Sequence, residues 1–264
     1  MFEFVFDLPL VITGPAILGS LYLFAVGGLV VVRRRVLPHL RIQVADSEFA
    51  GAMLQSVMVF YGLAVALIAM SVWQTYSDVS KIVTGEASSL NALYRDVTSY
   101  PEPIRRELQN ELRAYTDQVI HQAWPLQQRG QIPTAGIAHM SRFQAVLDKF
   151  EPGTEGQKLL HGETLRAYNQ MIQARRLRLD AVTTGLPAIM WAVVVFGALI
   201  GLSAAFFFKV EDARLHGVQV LLLATFIGLV MFMIFALDRP FRGDLGLRAD
   251  PYQLVFDQLM SVSP

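Results

Sequence analysis

Apolar positions in this chain are fused into four uncharged runs, Leu8–Val32, Phe49–Ser77, Ala181–Phe208 and Leu215–Leu237. An α-helix rising 1.5 Å per residue needs about 20 residues to cross some 30 Å of hydrocarbon, and each run exceeds that. Between the second and third runs the pattern changes. Apolar residues recur there at three–four spacing among polar ones, the signature of amphipathic helices. The pattern predicts an all-α integral membrane protein with four transmembrane helices and a helical extramembrane insert between the second and third. The organisation follows: residues 1–77 a first transmembrane hairpin, 78–180 a stalk-like insert, 181–237 a second hairpin and 238–264 a C-terminal tail.

Within the insert, Val79, Ile82, Val83, Leu90, Leu93, Tyr94 and Val97 continue the second span as one helix. Pro101 and Pro103 stop it, because proline disfavours helix at the residue before it. A second helix is predicted over Ile104–Trp124, ended by Pro125, with Ile104, Leu108, Leu112, Tyr115 and Val119 inward. A third covers Thr134–Phe150 with Ile137, Met140, Val146, Leu147 and Phe150 inward. A fourth starts near Thr154 and runs towards the third span, with a kink expected at Gly185-Leu186-Pro187. The first and last helices of the insert are thus expected to continue two transmembrane helices.

Composition adds exclusions. Lys plus Arg equals Asp plus Glu at 22 each, so no global field favours nucleic acid. The absence of cysteine rules out a disulfide framework, a thiolate nucleophile and a cysteine metal site. His39, His121, His139, His161 and His216 never fall three or four residues apart, and no nucleophile elbow or phosphate-cradling loop is present. Neither an enzyme nor a bound cofactor is expected. Nor does any Asp, Glu, Lys or Arg lie inside a run, which argues against a proton relay.

Charge at the ends of the runs bears on orientation. The N-terminal residues carry Glu3 and Asp7 with no Lys or Arg. Arg33, Arg34, Arg35 and Arg41 follow the first run. The positive-inside rule then places the insert and both termini outside the cytoplasm. Arg175, Arg176, Arg178, Arg239, Arg242 and Arg248 on the opposite side, with Lys81 and Arg166, weigh against that assignment. Lys209 and Arg214 are the remaining basic residues on the Arg33 side.

Several strings, in order, carry a resemblance. They are Trp73-Gln74-Thr75-Tyr76-Ser77-Asp78, Glu86-Ala87-Ser88-Ser89-Leu90-Asn91-Ala92-Leu93-Tyr94-Arg95-Asp96, Tyr100-Pro101 and Trp124-Pro125. Arg175-Arg176-Leu177-Arg178-Leu179, Leu186-Pro187, Trp191 and Leu237-Asp238-Arg239-Pro240-Phe241-Arg242-Gly243 follow. Over nearly its whole length the chain resembles the bestrophin-like domain family of bacterial membrane proteins. It is more distantly similar to the bestrophins, which are pentameric anion channels. The resemblance implies a homo-oligomer, a pentamer, in a bacterial inner membrane, with the lipid bilayer and small ions as its partners and a pore lined by the second transmembrane helix. An ungapped comparison places Gly62, Ala66 and Met70 on the pore axis. The bestrophin calcium site has no counterpart here, and bestrophins keep the middle segment cytosolic, opposite to the charge reading.

Some residues admit a second reading. Gly27, Gly28 and Gly62 lie inside runs, and Gly14, Gly19 and Gly51 near their ends; small residues let helices approach closely. Phe60, Leu63, Leu67 and Met70 form a competing apolar stripe on the second run. Asp238 sits where the fourth run ends and is expected to latch the tail to the base of the third span through Arg176 or Arg178. The functional alternative to a channel is a non-conducting membrane scaffold whose stalk binds a partner.

Overall fold

The structure is a computed structural model. It describes Phe6 and residues 8–39, 44–134, 136–208, 210 and 212–261, the side chains of 44–50, 53 and 54 excepted. Arg41 and Lys209, used in the orientation argument, lie outside the described residues, as do Glu3 and Asp7. Among the described residues every regular element is helical: α1 (Leu10–Val31), α2 (Val44–Val97), α3 (Ile104–Gln118), α4 (Trp124–Gln127), α5 (Ile137–Asp148), α6 (Glu155–Ala181), α7 (Ala188–Ala205), α8 (Ala213–Leu237) and α9 (Asp250–Val255). Four helical stretches are long and apolar enough to cross a membrane: Leu10–His39, Gln55–Val97, Ala188–Ala205 and Ala213–Leu237. The chain divides into two compact units, Met1–Gln74 with Gly185–Asp238, and Thr75–Thr184 with Arg239–Pro264. α2 contributes to both.

In the first unit α1 packs along α8, and α7 meets both. Leu21, Ala25 and Leu29 of α1 are buried with Ala198 and Leu202 of α7 and Val220, Ala224 and Ile227 of α8. Close approach is set by small residues. A Cβ at Gly28 would come within 2.2 Å of the Phe206 ring, and one at Gly228 within 2.5 Å of Leu18. Polar groups inside this apolar layer are paired. Tyr22 Oη and Thr225 Oγ1 lie 2.9 Å apart, and His216 Nε2 lies 3.0 Å from the Ala205 carbonyl. After α1 the chain widens into a π-helical turn, Val32–Val36, that carries Arg33, Arg34 and Arg35.

The second unit is built on an amphipathic core. Val79, Val83, Leu90, Leu93, Tyr94 and Val97 of α2 are buried against Leu108, Leu112 and Tyr115 of α3, Phe143 and Leu147 of α5 and Met171 of α6. α6 opens on Thr154, whose Oγ1 accepts from Gln157 N at 3.2 Å and so meets one of the unpaired donors of the first turn. The tail belongs to this unit: Tyr252, Val255 and Met260 join its core.

Three expectations change. The helix from Ile104 does not stop before Pro125. It passes through a π-helical turn, Val119–Ala123, into α4, and Pro125 sits directly after that turn, where the backbone leaves the regular i→i−4 ladder. Ile137 is 55% exposed and lies outside the core. The last helix of the insert does not continue as the third span. Residues 182–187 break it rather than kink it, because Pro187 removes a donor and disfavours helix at Leu186.

Candidate functional site

The half of α2 in the first unit presents two faces. Val65, Ala69 and Val72 are buried with Val194 of α7 and Ile234 of α8, and the Tyr61 hydroxyl donates to the Val194 carbonyl at 2.8 Å. A Cβ at Gly197 would come within 2.1 Å of the Tyr61 ring, so this contact also needs a glycine. Gly62, Ala66 and Met70 are exposed and stand away from the buried stripe. A Cβ at Gly62 would meet nothing within 4 Å. Phe60, Leu63 and Leu67 share the open side, at 72%, 57% and 63% exposure. The glycines thus sort into two kinds: Gly28 and Gly228 are needed for packing within the chain, and Gly62 is not.

Asp238 is buried at the end of α8. Its Oδ1 accepts from the Leu186 N–H at 2.5 Å and its Oδ2 from Trp191 Nε1 at 3.3 Å. The carboxylate therefore holds the start of the third span through a backbone donor freed by the break before Pro187. Arg239 donates from Nη1 to the carbonyls of Thr183 at 3.0 Å and Thr184 at 3.5 Å. Of the two arginines named from the sequence, Arg176 is exposed and Arg178 is bound to Glu86.

That last pair is the chemical centre of the second unit. Arg178 Nε donates to Glu86 Oε2 at 2.6 Å, Arg178 Nη2 to Oε1 at 3.2 Å, and the Tyr115 hydroxyl to Oε1 at 2.7 Å. The guanidinium lies 5.9 Å from the Trp124 ring centre and 5.6 Å from that of Tyr252. Burial alone would favour an uncharged arginine. The Glu86 carboxylate outweighs it and holds Arg178 firmly protonated. Burial, then the same negative charge, pushes the Tyr115 and Tyr252 hydroxyls well above the ordinary tyrosine range. Both hydroxyls stay neutral, so one carboxylate and one guanidinium balance.

Glu86 stands within one of the strings that carry the resemblance, and nothing in that string alone marks it out. The signal was present, since Glu86 falls on the buried stripe of Val79, Val83, Leu90 and Leu93, where a carboxylate demands a partner. Other strings also meet in this unit. The Tyr76 hydroxyl donates to the Leu245 carbonyl at 2.9 Å, Trp124 Nε1 donates to the Leu247 carbonyl at 3.0 Å, and Phe241 packs edge-on to Trp124. Among the described residues no cluster of three His, Asp or Glu side chains could hold a metal ion.

Four apolar spans with a polar helical unit between the second and third define a four-span helical membrane protein. The chain belongs to the Bestrophin-like domain family, which matches residues 19–252. Its fold is shared with solved structures. One is a point mutant of a bacterial Bestrophin homolog from Klebsiella pneumoniae, at a TM-score of 0.68 and 10% identity, covering 95% of this chain and 99% of that one. Another mutant of that homolog matches at 0.62 and 12%, covering 95% and 100%. A structure described as a membrane protein matches at 0.65 and 11%, covering 94% and 98%. No curated protein matches the chain.

Proposed function

We propose that this protein is one subunit of a homo-oligomeric ion channel, a pentamer, in a bacterial inner membrane. The open face of α2 at Gly62, Ala66 and Met70 lines its pore. The observation that carries the reading is the division of α2 itself. One stripe is consumed by α7 and α8, while the stripe with Gly62, Ala66 and Met70 is uncharged and exposed, and the subunit's own packing does not need its small residues. Membership of the Bestrophin-like family supports the same reading.

The mechanism is electrodiffusion through a neck without charged groups, where side-chain bulk and wetting set conductance. Gly62 and Ala66 make that neck wide, and Met70 is its bulkiest point. Arginines near the mouths, Arg33, Arg34 and Arg35 among them, favour anions over cations. The insert and termini lie outside the cytoplasm by the charge argument. No chemical step is assigned: the protein moves ions and transforms nothing.

A reconstruction of the detergent-purified protein tests the assembly. A symmetric ring with α2 around a continuous axial path is the expected result. A monomer, or a ring closed along its axis by packed side chains, favours a non-conducting scaffold.

A further inference from the structure

The end of the first unit at which α1 stops gathers positive charge. α1 and α8 run antiparallel: Gly14 faces the Phe232 ring, Leu18 faces Gly228, and the Tyr22 and Thr225 hydroxyls are 2.9 Å apart. Eleven residues on from Tyr22 comes Arg33, and eleven back from Thr225 comes Arg214. That register brings Arg214, in the first turn of α8, to the level of the π-helical turn with Arg33, Arg34 and Arg35. Arg34, Arg35 and Arg214 are exposed. Among the described side chains of this unit the acids are Asp212 and Asp238. Asp238 lies at the opposite end of α8, and Asp212 Oδ1 accepts from the Arg214 N–H at 2.7 Å as the cap of that helix. Four guanidiniums thus share a level with one described carboxylate.

Below the arginines α1 turns an apolar face outward. Leu23, Val26, Val30 and Val31 are exposed and stand outside the core of the unit. Arg34 follows Val30 by one turn and so tops the same stripe. A phospholipid with an acidic headgroup repeats this pattern, with an acyl chain beneath a phosphate at the depth where hydrocarbon ends. The guanidinium fork matches pairs of phosphate oxygens. Free phosphate would use the arginines and nothing of the apolar face. A zwitterionic lipid would match the stripe but bring no net charge to offset the cations. A second copy packed here would have to bury those charges.

We infer that this end of α1 and α8 holds an anionic phospholipid, its headgroup on Arg34, Arg35 and Arg214 and one acyl chain along Leu23, Val26 and Val30. The inference rests on the membrane-spanning fold and not on conduction. Lipid bound there offsets part of the charge that these arginines lend to a pore mouth.

Melts of the full-length protein in a neutral detergent test this, with added phosphatidylglycerol, phosphatidylcholine of the same acyl chains, or inorganic phosphate. Phosphatidylglycerol alone should raise Tm, by about 2–4 °C. Arg34→Gln/Arg35→Gln should abolish the rise, and the same change at the exposed Arg106 of the second unit should keep it. Native mass spectrometry of the parent should find phosphatidylglycerol retained over phosphatidylcholine, and this decides alone if the double variant does not fold. No rise, an equal rise with phosphatidylcholine or inorganic phosphate, or equal retention of the two lipids would overturn the inference. So would a rise that survives Arg34→Gln/Arg35→Gln or disappears in Arg106→Gln, or a map in which a second copy covers Leu23 and Val30.

Discussion

A carboxylate survives at the centre of an apolar core only when its charge and its lone pairs are met, and Glu86 has both needs answered by Arg178 and Tyr115. Removing one partner strands the other, so Glu86→Gln should cost about 3–5 kcal/mol, read as a fall in Tm of the purified protein. Arg178→Lys should also destabilise, because an ammonium cannot reproduce the two-pronged contact. If neither variant lowered Tm, the pair would not anchor this unit. A second carboxylate links α3 to α5. Glu111 lies 2.7 Å from His139 Nδ1 and accepts from Arg142 Nε at 2.9 Å. Burial pushes its carboxyl up, but the bonds from Arg142 and His139 outweigh this and hold it below its ordinary 4.5. A lowered folded value means that stability is present above the unfolded value and is lost as pH falls through the folded one. Glu111→Gln should therefore lower Tm at pH 7. The gap from the parent should narrow only below pH 4.5, in a series of melts at stepped pH. Of these residues the sequence exposed Glu86 by its place on an apolar stripe. It did not expose Glu111, which sits among polar neighbours and takes its role from a helix packed across it. An acid directly after Leu237 drew attention to Asp238, but its hydrogen bonds to the Leu186 N–H and the Trp191 indole were not legible, since the first needs a backbone donor left outside a helix by the break before Pro187.

At the scale of the element, uncharged run length and three–four spacing carried most of the information. The runs from Leu8 and Leu215 correspond to α1 and α8 within a few residues, and the second span does continue unbroken as α2 to Val97. What the spacing could not carry was the response of a helix to proline. Pro125 was absorbed directly after a π-helical turn, whereas the helix is broken before Pro187, and the difference lies in whether the preceding residue remained helical. Glycine was equally ambiguous in one dimension, because Gly28 and Gly62 read alike until α7 and its flank are in place. They should respond differently. Gly28→Val forces a Cβ into the Phe206 ring and should cost about 1–3 kcal/mol, read as a fall in Tm. Gly62→Val meets open space and should leave the subunit's melt unchanged. Equal losses at both positions would mean that the open face of α2 is packed after all.

For the molecule as a whole, the charge argument and the bestrophin arrangement assign opposite sides to the polar unit. The charge argument places it outside the cytoplasm, so a reporter fused near Gln128 should be silent in the cytoplasm and active beyond the membrane. A cytoplasmic signal would favour the bestrophin arrangement and leave the pore assignment standing. The pore is the central claim, and flux through reconstituted protein reaches it most directly. Chloride efflux from liposomes should be measurable for the parent, should fall for Ala66→Phe at an unchanged oligomeric state, and should rise for Met70→Ser, which eases wetting of the neck. No efflux from the parent, or efflux that Ala66→Phe leaves unaltered, would contradict the account.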